Sequence, residues 1–351
     1  MKYFSTFTGV GGFDLGVPED WECVGMSEID KYANMVLRYR YKDVKNYGDI
    51  EKINYEELPD YDVQIGGSPC QDVSVAGKRE GLAGLRSRLF FSYVALLKVK
   101  QPRYFIFENV KGLLSSNEGR DFAEVINSFS EAGYDVWWQV LDATDFGIPQ
   151  HRERVFIFGA LGERSFRKVF LKPESKRKNT ELQGQQANTI TRRYRQSQSG
   201  GMYIAKHKLT QIENLSFSRN QAYRVYGADG VAPTLHRKTG GSQIVKIVAS
   251  RGRMKNGEWV QNMEERIDGN TNTLTSVQKD NMVSIDSAIR YLTPLECERL
   301  MGWPDNQTKY GIDEKGSTVE LSDNARYNLI GNGVVPQAVR AIIKNIMEVK
   351  A

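Results

Sequence analysis

Across residues 1–160, short apolar runs alternate with segments of helical period. "KYFSTF" ends in the glycines of "GVGG", "ECVGMSEI" precedes "DKYANMVLRYRY", and "YDVQIGG" is followed by a turn and then "LFFSYVALLKV". "RYFIFENV" reads as a buried strand, and "RDFAEVINSFSEAGY" as an amphipathic helix closed by Gly133. "DVWWQVLDA" and "RVFIFGAL" read as two more strands. Parallel neighbours need crossovers of about a dozen residues or more, and helices supply them. The rhythm therefore predicts a mostly parallel, doubly wound α/β sheet. The 351 residues suffice for one large domain or two moderate ones with a sizeable core.

Near residue 163 the rhythm stops. Residues 170–285 are rich in Gly, Gln, Asn, Thr, Lys and Arg, with little helical period. "ANTITRRYRQSQSGGMYI", "APTLHRKTGGSQIVKI" and "TNTLTSVQKDNMVSI" form a weak repeat, read as three hairpin-like units with basic or polar tips. Helical character returns in "TPLECERLMGW" and "VPQAVRAIIKNIMEV". The expected organisation is an α/β domain over residues 1–163, a smaller β-rich domain over 164–288, and a return to the first domain over 289–351.

Net charge is +5, unevenly spread: residues 161–285 carry 22 Lys+Arg against 10 Asp+Glu, while the remainder is acidic. A basic insert in an acidic body suits a polyanion, although a solvated basic surface has the same composition. The apolar runs fall short of the ~18 residues of a membrane helix. "MKYFSTFTGVGG" lacks the apolar core of a secretory signal. The expectation is a soluble, cytoplasmic protein without membrane contact. Cys23, Cys70 and Cys297 have no metal-ligand spacing and no disulfide framework, and His151, His207 and His236 form no cluster, so no metal site is expected.

The chemistry gathers at the carboxyl ends of the strands. "FTGVGGFDLG" follows the first strand, and its glycines permit a tight turn and close approach of a ligand. Glu28 ends the second apolar run, where a carboxylate can accept hydrogen bonds from a ribose, and Asp49 in "GDI" suits an adenine amino group. Each carboxylate alone would equally fit a helix N-cap. Together with the glycine loop they point to a nucleoside-containing cofactor. Cys70 follows Gly66, Gly67 and Pro69, which mark a turn on the same edge, and a thiolate there would be a nucleophile. A buried structural cysteine is the alternative. Glu108 ends the next strand, within reach of a substrate held at Cys70. Arg152 and Arg154 in "PQHRER" share one face at strand spacing and suit a carboxylate, a phosphate or a base oxygen.

"FTGVGG", "SPCQDVS", "FENV", "PQHRER" and "GNGVVP" occur in that order. This ordered set resembles the C5-cytosine-specific DNA methyltransferases of bacteria and phages, over residues 1–160 and about 290–351. The resemblance implies a Rossmann-like, S-adenosylmethionine-dependent methyltransferase sheet with a variable target-recognition insert. By that resemblance Cys70 adds to cytosine C6, Glu108 protonates N3, Arg154 contacts O2 and Arg152 supports the thiolate. Phe7, Gly9, Gly11 and Gly12 correspond to the methionine-side loop and adenine wall, Glu28 to the ribose carboxylate, and Asp49 and Ile50 to the adenine edge. Pro69, Leu89, Asn332 and Val334 line the methyl-donor pocket. Ile29 stands where relatives often have Trp, and Gly333 where they commonly have Ser, which removes one side-chain hydrogen bond.

A duplex hides C6, so the target cytosine must be flipped out. Residues 71–88 resemble the loop that closes over it, with Gln71, Ser74 and Arg86 at DNA-contacting positions. Base reading is expected at the tips around Arg192, Arg193 and Arg195, around Arg237 and Lys238, and around Arg251–Lys255. The resemblance implies duplex DNA as partner, a monomer, and a possible cognate restriction endonuclease encoded nearby. Three alternatives stay open on sequence: the same chemistry on tRNA, a catalytically silent DNA-binding protein, and a glycine-loop oxidoreductase. The last would leave Cys70, Glu108 and Arg154 without a joint task.

Overall fold

The structure, a computed structural model, describes residues 1–69, 87–162, 210–212, 245–255, 258–266, 270–274, 282–285 and 288–348. A six-stranded sheet runs in the order β2-β1-β3-β4-β6-β5. Its strands are β1 (Lys2–Thr6), β2 (Glu22–Ser27), β3 (Val63–Gly66), β4 (Tyr104–Val110), β5 (Tyr134–Asp142) and β6 (Glu153–Leu161). β1 pairs in parallel with β2 and β3, and β3 with β4. Helices α1 (Lys31–Arg40), α2 (Ser87–Lys100) and α3 (Arg120–Glu131) fall between the strands.

The sheet is mostly parallel, as the rhythm predicts, and β6 is the strand that runs antiparallel to its neighbours β4 and β5. The cause is the connection. Between β5 and β6 lie only residues 143–152, with a single short turn of 3-10 helix at Ala143–Phe146. That is too little chain for a crossover, so β6 returns beside β5 as an antiparallel neighbour.

Both faces of the sheet are covered. β4 and β6 read as nearly continuous apolar runs because they are buried on both sides, and β1 and β3 are buried too although they carry Ser5, Thr6 and Gln64. On one face α3 sends Phe122, Val125 and Phe129 toward Phe90, Tyr93, Phe105 and Phe107. Phe105 and Phe129 stack there at 4.4 Å between centroids. The other face is covered by α6 (Pro336–Glu348), whose Ala338, Val339, Ile342, Ile343 and Ile346 meet Tyr3, Val63, Ile65 and Ile106. The last segment of the chain therefore completes the core of the first sheet, as the helical period of "VPQAVRAIIKNIMEV" predicts.

Between the sheet and α6 come α4 (Pro294–Leu300), the hairpin of β12 (Tyr310–Ile312) with β13 (Thr318–Glu320), and α5 (Asp323–Gly331). α4 starts in a full capping box, with Thr293 at the N-cap, Pro294 behind it and Glu296 reaching back to Thr293. α5 is capped by Ser322. The apolar pattern of α5 is too weak to mark it in the sequence. It is anchored by charge instead: Arg326 bonds Glu298 at 3.1 Å, and Glu298 also accepts from the backbone N–H of Asn306 and Thr308, both at 2.8 Å.

A second, five-stranded antiparallel sheet has the order β11-β10-β8-β9-β7. It comprises β7 (Thr210–Ile212), β8 (Val245–Lys255), β9 (Glu258–Arg266), β10 (Met282–Ile285) and β11 (Ala288–Tyr291). The register of β8 on β9 runs from Ile247↔Arg266 to Lys255↔Glu258. The residues of the tip expected at Arg251–Lys255 form the end of β8. The third sequence unit does not fold back on itself as expected. Its end, β10, pairs with β8 and β11, whereas its start, residues 270–274, docks on the chain before β6. The other two expected tips, at Arg192–Arg195 and Arg237–Lys238, lie outside the described residues. Among the described residues no helix is long and apolar enough to cross a membrane.

Candidate active site

The chain leaves β1 through a tight turn in which Phe7, Gly9 and Gly11 take left-handed φ values of 49°, 58° and 84°. Gly11 N–H donates to Thr8 O at 3.0 Å. The Tyr41 hydroxyl fills the place a β-carbon on Gly11 would take, and a β-carbon on Gly12 would stand 3.2 Å from Val334. The loop after β1, the end of α1 and the turn between α5 and α6 thus meet without room for larger residues. Gln307 Nε2 donates to Val10 O at 2.9 Å, and Trp303 Nε1 to Val334 O at 2.9 Å, fixing the last of these pieces against the first.

Glu28 follows β2 directly. Its carboxylate accepts from the backbone N–H of Gly9 at 2.7 Å, Ile29 at 2.8 Å and Asp30 at 2.7 Å. Burial pushes its pKa up, against the pull of those hydrogen bonds. A carboxylate has about four acceptor positions, so three backbone donors leave one for a ribose hydroxyl. Ile29 is 66% exposed and presents an apolar face at this rim. Asp49 caps the short helix Ile50–Lys52, accepting from Glu51 N–H at 3.1 Å, and lies 3.3 Å from Lys52. Ile50 is 2% exposed and packs with Phe4, Leu58 and Leu96. Leu89 is half-buried in the first turn of α2, while Pro69 and Asn332 are exposed. A cleft of about 780 Å³ borders Glu28 and Ile29 and runs along α1 past Arg38 to Ile312, away from Glu108.

The second half of the site is built on β4 and β6. Val110 stands opposite Arg154, which makes Glu108 a diagonal neighbour of Arg154 on one face. Arg154 Nε lies 2.9 Å from Glu108 Oε1, and both side chains are 15% exposed. Burial raises the Glu108 pKa, and the charges of Arg154 and Arg152 oppose the rise. A β-carbon on Gly67 would stand 2.7 Å from Glu108 O and 3.0 Å from Glu108 Oε2. The main chain that leads into Cys70 therefore passes against this carboxylate. Cys70, Gln71, Ser74 and Arg86 lie outside the described residues, as do Arg192, Arg193, Arg195, Arg237 and Lys238. Both described cysteines are poor nucleophiles, since burial pushes Cys23 up to about 12 and raises Cys297 as well.

Arg152 and Arg154 do not share a target. β6 begins at Glu153, and Arg152 turns inward ahead of it to main-chain carbonyls. Its Nη1 donates to Leu274 O at 3.1 Å, and its Nη2 to Gly331 O at 3.2 Å and to Gly333 O. Its neighbours are equally engaged. Gln150, with no exposed surface, donates to Leu300 O at 2.7 Å and accepts from Leu274 N–H at 3.0 Å. His151 Nδ1 lies 2.9 Å from Asp142 Oδ2. Burial would raise Asp142, but hydrogen bonds from His151, Thr144 and Arg152 outweigh it and hold the carboxyl low. The sequence offers no sign of the role of Gln150, because its partners Leu274 and Leu300 are far away along the chain.

The geometry offers a cradle with one open carboxylate position after β2, and on β4 and β6 a carboxyl–guanidinium pair where a flat, polar ring could be held. Comparison with known proteins bears on both. The family model "C-5 cytosine-specific DNA methylase" matches residues 1–348. The chain is 43% identical over 164 residues to the orphan methyltransferase M.Rho11sI of Bacillus phage rho11s, covering 45% of this chain and 33% of that protein. It is 43% identical over 160 residues to the type II methyltransferase M.BsuFI of Bacillus subtilis, covering 45% and 39%. The matched stretch thus spans well under half the length of these relatives. Over 352 residues it is 28% identical to the type II methyltransferase M1.ScrFI of Lactococcus lactis subsp. cremoris, covering 99% and 78%. Among solved structures, the Dnmt2 methyltransferase of S. pombe superposes with a TM-score of 0.58 at 16% identity, covering 99% of this chain and 98% of that one. The Entamoeba histolytica methyltransferase EhMeth gives 0.57 at 16%, with the same coverage. At these identities the structures show the shared fold alone.

Proposed function

The chain belongs to the C-5 cytosine-specific DNA methylase family, and from that premise we propose that it transfers a methyl group to C5 of a cytosine flipped out of duplex DNA. The observation that carries this reading is the Glu108–Arg154 pair, held on one strand face beside the main chain that enters Cys70.

S-adenosylmethionine, when bound, supplies an electrophilic sulfonium methyl. Glu28 would hold its ribose, the turn from Phe7 to Gly12 its methionine end, and Asp49, Ile50 and the exposed Ile29 its adenine. Cytosine C5 is a weak nucleophile, and the protein's task is to enrich it. The Cys70 thiolate forms a bond to C6 while Glu108 delivers a proton to N3, so the electron pair of the C5–C6 bond becomes available at C5. Glu108 is suited to that delivery because burial favours its protonated form. Arg154 steadies the developing charge beside it. Once C5 is methylated, water takes the C5 proton, the C5–C6 double bond re-forms as the C6–S bond breaks and Cys70 leaves as thiolate, and N3 returns its proton to Glu108.

DNA reading is assigned to residues 164–288. Among the described residues, β10 meets β8 only over Val245–Val248, and β7 meets β9 only over Met263–Glu265. The rest of the β8–β9 pair runs on as a two-stranded ribbon. Arg251, Arg253 and Lys255 belong to this stretch of β8. A ribbon of this width fits the major groove.

Bisulfite sequencing of plasmid DNA from a methylation-free host expressing the chain tests the reading, with Cys70→Ala alongside. Protected cytosines in one short sequence context, absent in the variant, are expected. If the folded protein protects none, DNA is not its substrate, and RNA from the same cells becomes the next material to sequence.

A further inference from the structure

We propose that Arg152 is a positioning residue that couples the seating of the DNA-reading insert to the state of the cofactor pocket. The inference rests on the methyltransferase reading above. Arg152 is 3% exposed and its guanidinium lies between two distant pieces of chain. On one side Nη1 donates to Leu274 O, the end of the segment 270–274 by which the insert docks on the first domain. On the other, Nη2 donates to Gly331 O and Gly333 O, the carbonyls flanking Asn332 in the turn that also carries Val334.

The docking segment is also tied to the residues just before Arg152. Thr271 exchanges backbone hydrogen bonds with Pro149 and His151, both at 2.9 Å. Thr273 Oγ1 donates to His151 O at 2.7 Å, and Leu274 N–H donates to Gln150. All of these end on the residues just before Arg152. Movement of the segment on DNA binding thus reaches residues 149–151 and the Arg152 side chain together, and the guanidinium carries it on to Gly331 and Gly333. A guanidinium presents its donors in a rigid fork, so a displaced Leu274 carbonyl tilts the plane and disturbs the bonds to Gly331 and Gly333. Glu108 and Arg154 also act on Arg152 electrostatically, which brings the base-holding pair into the same unit.

A buried arginine that only satisfies carbonyls would stabilise the fold without linking two ligands. Coupling distinguishes the cases, because it is a ratio of affinities and is reciprocal. Duplex DNA affinity is measured by fluorescence anisotropy with and without saturating S-adenosylhomocysteine, giving a coupling factor for the full chain. The wild type is expected to give about 5–50-fold. Lysine, a single point charge, cannot bridge both sides, so Arg152→Lys is expected to bring the factor within about twofold of one. Thr273→Val removes only the hydroxyl tie to His151 and is expected to lower it part of the way. If Arg152→Lys fails to fold, Thr273→Val decides alone. An unchanged factor in the folded variants overturns the proposal, as does a wild-type factor of one with both ligands bound. A wild type that binds neither ligand overturns the methyltransferase reading itself, and this proposal with it.

Discussion

The surroundings of Gly333 leave no room for a larger residue. A β-carbon at this position would overlap Cζ2 and Cη2 of the Trp303 ring. Trp303 is buried, and its indole N–H is engaged with Val334 O at 2.9 Å, so the ring cannot swing away freely. Overpacking of this kind costs about 1–3 kcal/mol, and loss of the indole hydrogen bond adds about 1 kcal/mol. Gly333→Ser is therefore expected to destabilise the protein by about 2–4 kcal/mol in urea unfolding. It should also weaken S-adenosylmethionine binding, since the same turn carries Asn332 and Val334. Trp303→Leu makes room, and in that background Gly333→Ser should cost at least about 1 kcal/mol less. A Gly333→Ser protein within about 0.5 kcal/mol of wild type, or strict additivity with Trp303→Leu, would refute the steric argument.

Three further outcomes are expected. Glu108→Gln should lower kcat by about 10²–10⁴-fold with little change in cofactor affinity. In the wild type, kcat should fall as pH rises through the raised Glu108 pKa, and the variant should lose that limb in steady-state assays across pH. Asp14 is buried beneath the first loop, accepts from Ser5 Oγ at 3.1 Å, and burial pushes it from 3.8 up to about 6. The folded state therefore keeps this proton where the unfolded chain releases it, and stability drops by up to about 3 kcal/mol as pH rises from 4 to 6. Asp14→Asn should gain up to that much over wild type at pH 8 and nothing near pH 4, read from urea midpoints. Replacing Arg251, Arg253 and Lys255 together by Ala should flatten the salt dependence of DNA binding by roughly 2–3 in log–log slope. An unchanged slope would remove the ribbon from the DNA interface.

What the sequence made legible follows from how far each signal reaches. The strands before residue 163 and helices α1, α2, α3 and α6 announce themselves through local period, because each buries a face of its own. The direction of β6 was not legible, since it depends on how little chain joins it to β5. The tight turn after β1 was legible from its glycines, and Glu28 as the carboxylate that ends the second apolar run. That Glu28 already holds three backbone N–H groups was not, because those donors are arranged only after folding. In "PQHRER" the spacing suggested two arginines with one target. Only Arg154 meets the carboxylate, because Arg152 lies before the strand starts and finds carbonyls from residues 274, 331 and 333. α5 stayed hidden for a similar reason: a buried Glu298–Arg326 pair does for it what an apolar stripe does elsewhere.

The central claim is that Cys70 attacks cytosine C6. A duplex containing 5-fluorocytosine in the protected context tests it most directly, because fluorine at C5 cannot leave as a proton does and the covalent intermediate is held. With S-adenosylmethionine present, the wild type should form a denaturant-stable protein–DNA adduct of one to one stoichiometry. Peptide mass spectrometry should place the link on Cys70, and Cys70→Ala should form none. A wild type that methylates DNA yet leaves no adduct, or carries the link on another residue, would contradict the account.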